Sequence, residues 1–223
     1  MKKILIIIHH DFGDPGIIFK ILQKDYLVST VNFKNLKKIT FAEIKSYSLF
    51  IFMGGKMSAN SKSIHILNEY KFLSKLINLN MNILGICLGA QMISKIYGSK
   101  IVSSKNKIIE VGYRKIKTFN NNFVKDGMSF MQFHNEGITY NKSMNVFAKG
   151  RLFEIDAFKI KNKNIYGFQF HPEINEIMIK NWYLNINKKK KGIDKLNNIL
   201  KDYRKFSVIN YYWLNKFLKK IIK

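Results

Sequence analysis

Apolar residues in this chain are arranged in two ways. Short, largely apolar runs occupy residues 3–9, 27–33, 49–53, 83–86 and 165–170, and each is read as a strand, those at 49–53 and 83–86 as buried. Between and after the first four, apolar positions recur at three- and four-residue spacing. Ile17, Ile18, Ile21 and Leu22 form one such set, Ile64, Leu67, Leu73, Leu76 and Ile77 a second, and Leu88, Met92, Ile93 and Ile96 a third. Asp14 is expected to N-cap the first helix with Pro15 at its first position, and Thr40 with Glu43 to form a capping box on a short helix ending near Tyr47. Buried strands alternating with amphipathic helices predict an α/β fold: a mostly parallel sheet with helices on both faces, and a site at the carboxyl ends of the strands.

The pattern changes after residue 100. Ile108, Val111, Tyr113 and Ile116 alternate in part, which predicts an antiparallel strand extension instead of another βα unit. Residues 120–126 read as a polar loop, 145–149 and 152–161 as a hairpin-like pair, and 162–164 as a turn into the strand at 165–170. A helix over 174–187 follows, with Ile177, Trp182 and Ile186 on one side.

From Lys188 twelve basic residues face only Asp194 and Asp202. A polycationic stretch is usually solvated, but Leu196, Ile199, Leu200, Phe206, Ile209, Trp213, Leu214, Phe217 and Leu218 carry too much apolar surface for a free tail. The expected organisation is one domain over residues 1–187, then a basic extension over 188–223 of one or two helices packed on it, lysines outward. A cationic helix lying in a membrane surface is the alternative.

Composition narrows the class. With 223 residues, 47% of them hydrophobic, the chain can build one sizeable core. No run of about 18 uncharged apolar residues occurs, so no transmembrane span is expected. The run at 4–8 is shorter than a secretory segment needs and no small-residue cleavage site follows, so a cytoplasmic location is expected. One cysteine allows no internal disulfide. The formal charge of +25 raises the question of a nucleic-acid partner. Arginine, however, stands only at 114, 151 and 204. Base and bidentate phosphate recognition favour arginine, so a lysine excess among abundant Asn and Ile reads as coding bias, and no specific nucleic-acid partner is expected.

Candidate chemistry centres on that cysteine. Cys87 falls between the apolar run 83–86 and the helical pattern that starts at Leu88 and stops at Gly98, so it sits on a strand-to-helix turn. Gly85 and Gly89 flank it two residues away on each side, the spacing of a nucleophile elbow. A lone cysteine is usually a buried structural thiol, but here the elbow would aim the first helical N–H groups at the sulfur and favour thiolate. Such a nucleophile needs an oriented base. His134 and His171 are the candidates, and His171 is preferred because Glu173 stands beside it, whereas Glu136 would point away from His134 on an extended segment. His9 and His10 could be imagined as metal ligands, but no third ligand pattern accompanies them and no metal is expected.

The segments GICLGAQ at 85–91 and GFQFHPE at 167–173 together resemble the class I (triad) glutamine amidotransferases. The resemblance covers essentially the whole chain. It is closest in kind to the stand-alone GMP-synthase-like amidotransferases, with a flavodoxin-like sheet. It implies a Cys-His-Glu triad of Cys87, His171 and Glu173, acting on the side-chain amide of glutamine through a γ-glutamyl thioester and releasing ammonia. The Gly54-Gly55 turn after the strand at 49–53 is implied to present the N–H of Gly55 to an oxyanion hole completed by the N–H of Leu88. Gln91 is implied to contact the substrate amino acid. The segment MSFMQFHNEGI at 128–138 resembles the family's Q-W-H-G-D pocket lining, which brings in Phe133 and His134, with Asn135 and Glu136 departing from its glycine and aspartate. No cofactor is implied. About 35 residues follow the helix after H-P-E, too few for a synthase domain, so a separate ammonia-accepting synthase is the expected partner. A γ-glutamyl peptidase on the same triad is the second reading, and a basic binding protein on a retired fold the third.

Overall fold

The computed structural model describes residues 1–9, 15–104, 106–119 and 123–222. The expected cap Asp14, the candidate ligand His10 and part of the expected 120–126 loop lie outside the described residues.

The first half runs β1 (Lys3–Ile8), α1 (Ile17–Leu22), β2 (Leu27–Asn32), a 3-10 turn (Phe33–Lys38), α2 (Phe41–Ser46), β3 (Tyr47–Phe52), α3 (Ile64–Asn78), β4 (Ile83–Ile86) and α4 (Leu88–Ile96). The second half runs β5 (Ile101–Ser103), β6 (Glu110–Lys115), β7 (Lys117–Thr118), β8 (Ser129–His134), β9 (Glu136–Ile138), β10 (Met144–Lys149), β11 (Ala157–Ile160), β12 (Ile165–Phe168), α5 (Glu176–Leu184) and α6 (Leu196–Ile221). Among the described residues the main sheet has the order β2-β1-β3-β4-β12-β11-β10-β7. β2, β1, β3, β4 and β12 are parallel, whereas β11, β10 and β7 run antiparallel. Two further ladders, β5 with β9 and β6 with β8, make the antiparallel extension.

Period-two alternation divides the core between the two sheet faces. Ile4, Ile6, Ile51, Leu84 and Phe168 face α1 and the second half of α6; Leu5, Ile7, Phe50, Phe52 and Ile83 face α2, α3 and α4. A third cluster joins Val111, Tyr113 and Met131 of β6 and β8 to Met178 and Ile179 of α5 and Ile199 of α6. The extension from 188 is thus one long helix over most of its length. Its apolar stripe of Leu214, Phe217, Leu218 and Ile221 is buried, and Lys201, Lys205, Lys216, Lys219 and Lys220 are exposed. No described helix is long and apolar enough to cross a membrane.

Several expectations are corrected. α1 starts at Ile17 with Gly16 at its N-cap, leaving Pro15 outside. Tertiary contact sets this start, since the Ile17 N–H donates to the carbonyl of Glu173 at 2.9 Å. On α3 the buried stripe is Ile66, Glu69, Phe72, Leu73, Leu76 and Ile77, so Ile64 and Leu67, read as part of it, are exposed. α5 is shorter than expected, with Asn175 as its N-cap, and buries Met178 and Ile179 while Ile177 is exposed. β11 begins at Ala157, because residues 152–154 form bends and Gly150 closes against Asp156. Ile209 on α6 is exposed. The Thr40–Glu43 capping box and the Ile83–Ile86 strand form as read.

Candidate active site

The site is built where two neighbouring parallel strands end. β12 pairs with β4 so that Gly167 lies opposite Gly85 and Phe168 opposite Ile86. The chain segments leaving these strands therefore emerge side by side, one carrying Cys87 and the other His171.

Cys87 is the N-cap of α4, with φ 49° and ψ −103°, a left-handed φ that costs an ordinary residue of order 1–3 kcal/mol and persists only where surroundings enforce it. The enforcement is visible. The Cys87 N–H donates to Phe168 O at 2.7 Å, and Cys87 O accepts the Gln91 N–H at 2.9 Å as the helix begins. The flanking glycines are required by space: a Cβ on Gly85 would lie 2.5 Å from the Gly89 carbonyl carbon, and one on Gly89 only 2.3 Å from Phe52 O. Cys87 is 6% exposed and stands at the N-cap of α4 without a side-chain cap hydrogen bond.

His171 and Glu173 are likewise buried. His171 Nδ1 bonds Glu173 Oε1 at 2.7 Å, and the ring packs edge-on against Trp182 at 4.8 Å. The His171 N–H donates to Met131 O at 2.8 Å, pinning the turn to β8. Nε2, the remaining ring nitrogen, has no hydrogen-bond partner among the described residues. Burial on its own would drive the proton off this ring. The Glu173 carboxylate, and after it Cys87, outweigh that effect and raise the pKa to about 10.

Between the two segments lies the turn after β3. A Cβ on Gly54 would sit 2.8 Å from His171 Cε1 and 3.4 Å from Cys87 Cβ, and one on Gly55 would sit 2.8 Å from Leu88 Cδ2. Gly54 thus lies against Cys87 and His171, and Gly55 against the Leu88 side chain.

His134 is buried like His171 but differs from it in partners and in proton affinity. It is fully buried, its Nε2 faces Gln132 Oε1 at 2.8 Å, and burial first, then the charge of His171, lowers its pKa to about 3. Glu136 points away from it, accepting the Ser58 hydroxyl at 2.8 Å. Gln91 is 4% exposed, and its amide is already engaged, donating to Glu136 O at 3.0 Å and to Gln169 Oε1 at 3.3 Å. Phe133 packs on Trp182 at 5.1 Å. Cys87, His171, Glu173, Gly55, Gln91, Phe133 and His134 all line one cavity of about 810 Å³, whose outer wall includes Lys34, Ile177, Trp182, Ile186 and Lys190.

Three groups escape a reading of the sequence. Gln169, wholly buried, directs Nε2 at Cys87 Sγ from 3.7 Å; it lies within the GFQFHPE segment, one residue past β12. His9, considered only as a metal ligand, bonds Glu69 at 2.8 Å. The available signal is Glu69 itself, a carboxylate on the same apolar stripe as Ile66, Leu73 and Leu76. Behind His134, Gln132 donates to Asp156 at 2.8 Å, and Glu110 lies between Arg114 and Arg151, 3.5 and 3.6 Å from their Nε atoms. No sequence spacing announces that network. Among the described residues no group of three or more His, Cys, Asp or Glu side chains could hold a metal ion.

Comparison with known proteins places these residues in context. A crystal structure of a glutamine amidotransferase from Thermotoga maritima superposes with a TM-score of 0.86 at 22% identity, covering 100% of this chain and 98% of that one. A glutamine amidotransferase structure from Methylobacillus flagellatus gives a TM-score of 0.86 at 18% identity, covering 100% and 94%. At such identities the likeness is one of fold. In sequence, the chain is 35% identical over 104 residues to a protein of Methanococcus aeolicus named as one subunit of a glutamine-hydrolyzing GMP synthase, 44% of this chain and 54% of that relative. The chain therefore spans about half the length of the curated relatives it matches. The family described as glutamine amidotransferase class-I matches residues 16–184, which include the elbow, the β3 turn and the H-P-E segment. This chain is a member of the class-I glutamine amidotransferase family.

Proposed function

We propose that the chain hydrolyses the side-chain amide of glutamine, with Cys87 as nucleophile, His171 as base and acid, and Glu173 as the group that orients and charges the imidazole. The observation that carries the reading is the His171–Glu173 bond at 2.7 Å, which leaves Nε2 unbonded on a ring whose proton affinity Cys87 helps to raise. In the proposed reaction the Cys87 proton resides on His171 and the sulfur attacks the amide carbon. The carbonyl oxygen becomes an oxyanion held by the N–H groups of Gly55 and Leu88. His171 then returns the proton to the departing nitrogen as the C–N bond breaks, leaving ammonia and a γ-glutamyl thioester. Water, deprotonated by the same imidazole, splits the thioester to glutamate and regenerates the thiol. Gln91, Phe133 and His134 line the pocket for the amino acid portion, and no cofactor takes part. By analogy with relatives named as parts of a synthase, the ammonia passes to a separate synthase.

The cavity favours one second reading. About 810 Å³ is at the upper end for a small-molecule site and far exceeds what free glutamine fills. A γ-glutamyl peptide, with its larger leaving amine reaching Trp182 and Ile186, would use the rest.

The test is glutamate and ammonia release from L-glutamine by the purified protein, with Cys87→Ser as control. Turnover that disappears in C87S is expected. A Cys87 inert both to glutamine and to a small alkylating agent would sink the triad.

A further inference from the structure

The mechanism uses one buried histidine–carboxylate pair, and a second lies on the opposite side of the same turn. His9, at the end of β1, and Glu69, on α3, both have side chains 0% exposed. His9 Nε2 meets Glu69 Oε1 at 2.8 Å, and His9 Nδ1 meets the carbonyl oxygen of Gly54 at 3.1 Å. A carbonyl only accepts, so Nδ1 carries a proton toward Gly54. Bonds from both ring nitrogens, with Phe33 packed at 5.2 Å, fix the ring completely.

The carbonyl of Gly54 and the N–H of Gly55 belong to one peptide unit. That unit is planar and trans, so its C=O and N–H point in opposite directions. Holding the oxygen toward His9 turns the N–H of Gly55 away from His9. Gly55 also packs tightly on His9, since a Cβ built on it would lie 3.0 Å from His9 Cβ and 3.1 Å from the ring's Cγ. Gly-Gly is the most freely rotating dipeptide, and without such a tether this peptide could flip.

We infer that the His9–Glu69 pair is a positioning device that holds the Gly54–Gly55 peptide with its N–H presented to the oxyanion. The inference rests on the role proposed above for Cys87. It assigns His9 and Glu69 no contact with substrate; they act through Gly55.

An experiment can separate this from simple structural support, because alkylation of Cys87 by iodoacetamide needs the thiolate but creates no oxyanion. Hydrolysis of L-glutamine and of L-γ-glutamyl-p-nitroanilide needs both. H9L alone strands the Glu69 charge and could unfold the chain, so the H9L/E69M double variant, apolar on both sides, is measured with it. The expected result for the double variant is a fall in kcat of about 10²–10³-fold, as for loss of one oxyanion donor, with KM within about threefold and the alkylation rate within about twofold of wild type. H9N, whose amide can still donate to Gly54, should recover at least about tenfold of that loss. Unchanged kcat, alkylation falling in step with kcat, or H9N behaving like H9L would overturn the inference. So would a wild-type protein that is alkylated readily yet cleaves neither substrate, since the pair would then not hold a working hole. A wild-type protein that is neither alkylated nor active would instead defeat the reading of Cys87.

Discussion

Two buried histidine–carboxylate pairs flank the Gly54–Gly55 turn, and they differ in what the second ring nitrogen does. His171–Glu173 bonds at 2.7 Å and His9–Glu69 at 2.8 Å, so distance does not distinguish them. The second ring nitrogen does. In His9 it is consumed by a backbone carbonyl; in His171 it has no hydrogen-bond partner among the described residues. A carboxylate-bound imidazole with both nitrogens engaged is a strut, and one with a nitrogen free can move a proton.

The most severe way to break the contrast is to make the same substitution in both pairs. E173Q removes the charge that raises the His171 proton affinity and should lower kcat on glutamine about 10²–10⁴-fold. E69Q, still able to accept from His9 Nε2 and far from the thiol along the chain, should cost under about tenfold. Steady-state kinetics on the two variants decides the matter, and equal losses would erase the distinction.

G54A gives a smaller effect. Its Cβ, 2.8 Å from His171 Cε1, must push the ring aside while leaving the His9 bond possible. A drop in kcat of about ten- to hundredfold is expected, as small displacements of a catalytic group produce, with the denaturation midpoint little changed.

The smallest effect concerns a third histidine, one with no carboxylate within ordinary hydrogen-bond distance. The His134 pKa is lowered to about 3 and that of Asp156, two hydrogen bonds away through Gln132, is raised to about 8, burial being the leading cause in both. Between about pH 4 and 6.5 the folded state binds fewer protons than the unfolded state at His134 and more at Asp156. The first makes stability rise with pH, the second makes it fall, and the two slopes oppose each other. D156N should tilt stability upward with pH relative to wild type by about 1 kcal/mol per pH unit, and H134Q should tilt it downward by a similar amount. Urea unfolding at about pH 4.5, 5.5 and 6.5 reads both slopes; parallel curves for all three proteins would remove the linkage.

The His171–Glu173 pair is legible in sequence because its two members are two residues apart in a strand-end segment. The strut is not, because His9 and Glu69 are 60 residues apart and meet only once α3 packs on β1. The same distinction runs through the fold. Parallel strands of unbroken apolar residues declare themselves, and so does the capping box of Thr40 and Glu43, which is a purely local interaction. The start of α1 is hidden because the distant carbonyl of Glu173 sets it. Ile64, Leu67 and Ile177 mislead because a three- to four-residue period fixes a stripe but not which stripe is covered. Gln169 is inconspicuous for a different reason: it stands inside a recognised segment, and its approach to the sulfur depends on the register of β12 against β4.

That register also sets a schedule. Strand β12 enters the sheet between β4 and β11, and His171 is made 84 residues after Cys87 (171 − 87). At ribosomal speeds of about 5–20 residues per second, the thiol waits roughly 4–17 seconds for its imidazole, with one edge of β4 open throughout. The helix that covers Phe168 and Phe170 through Trp213 and Phe217 arrives later still. Newly made copies therefore pass through a period in which an apolar edge and an unpartnered sulfur coexist, the stage at which an incomplete sheet is most open to aggregation.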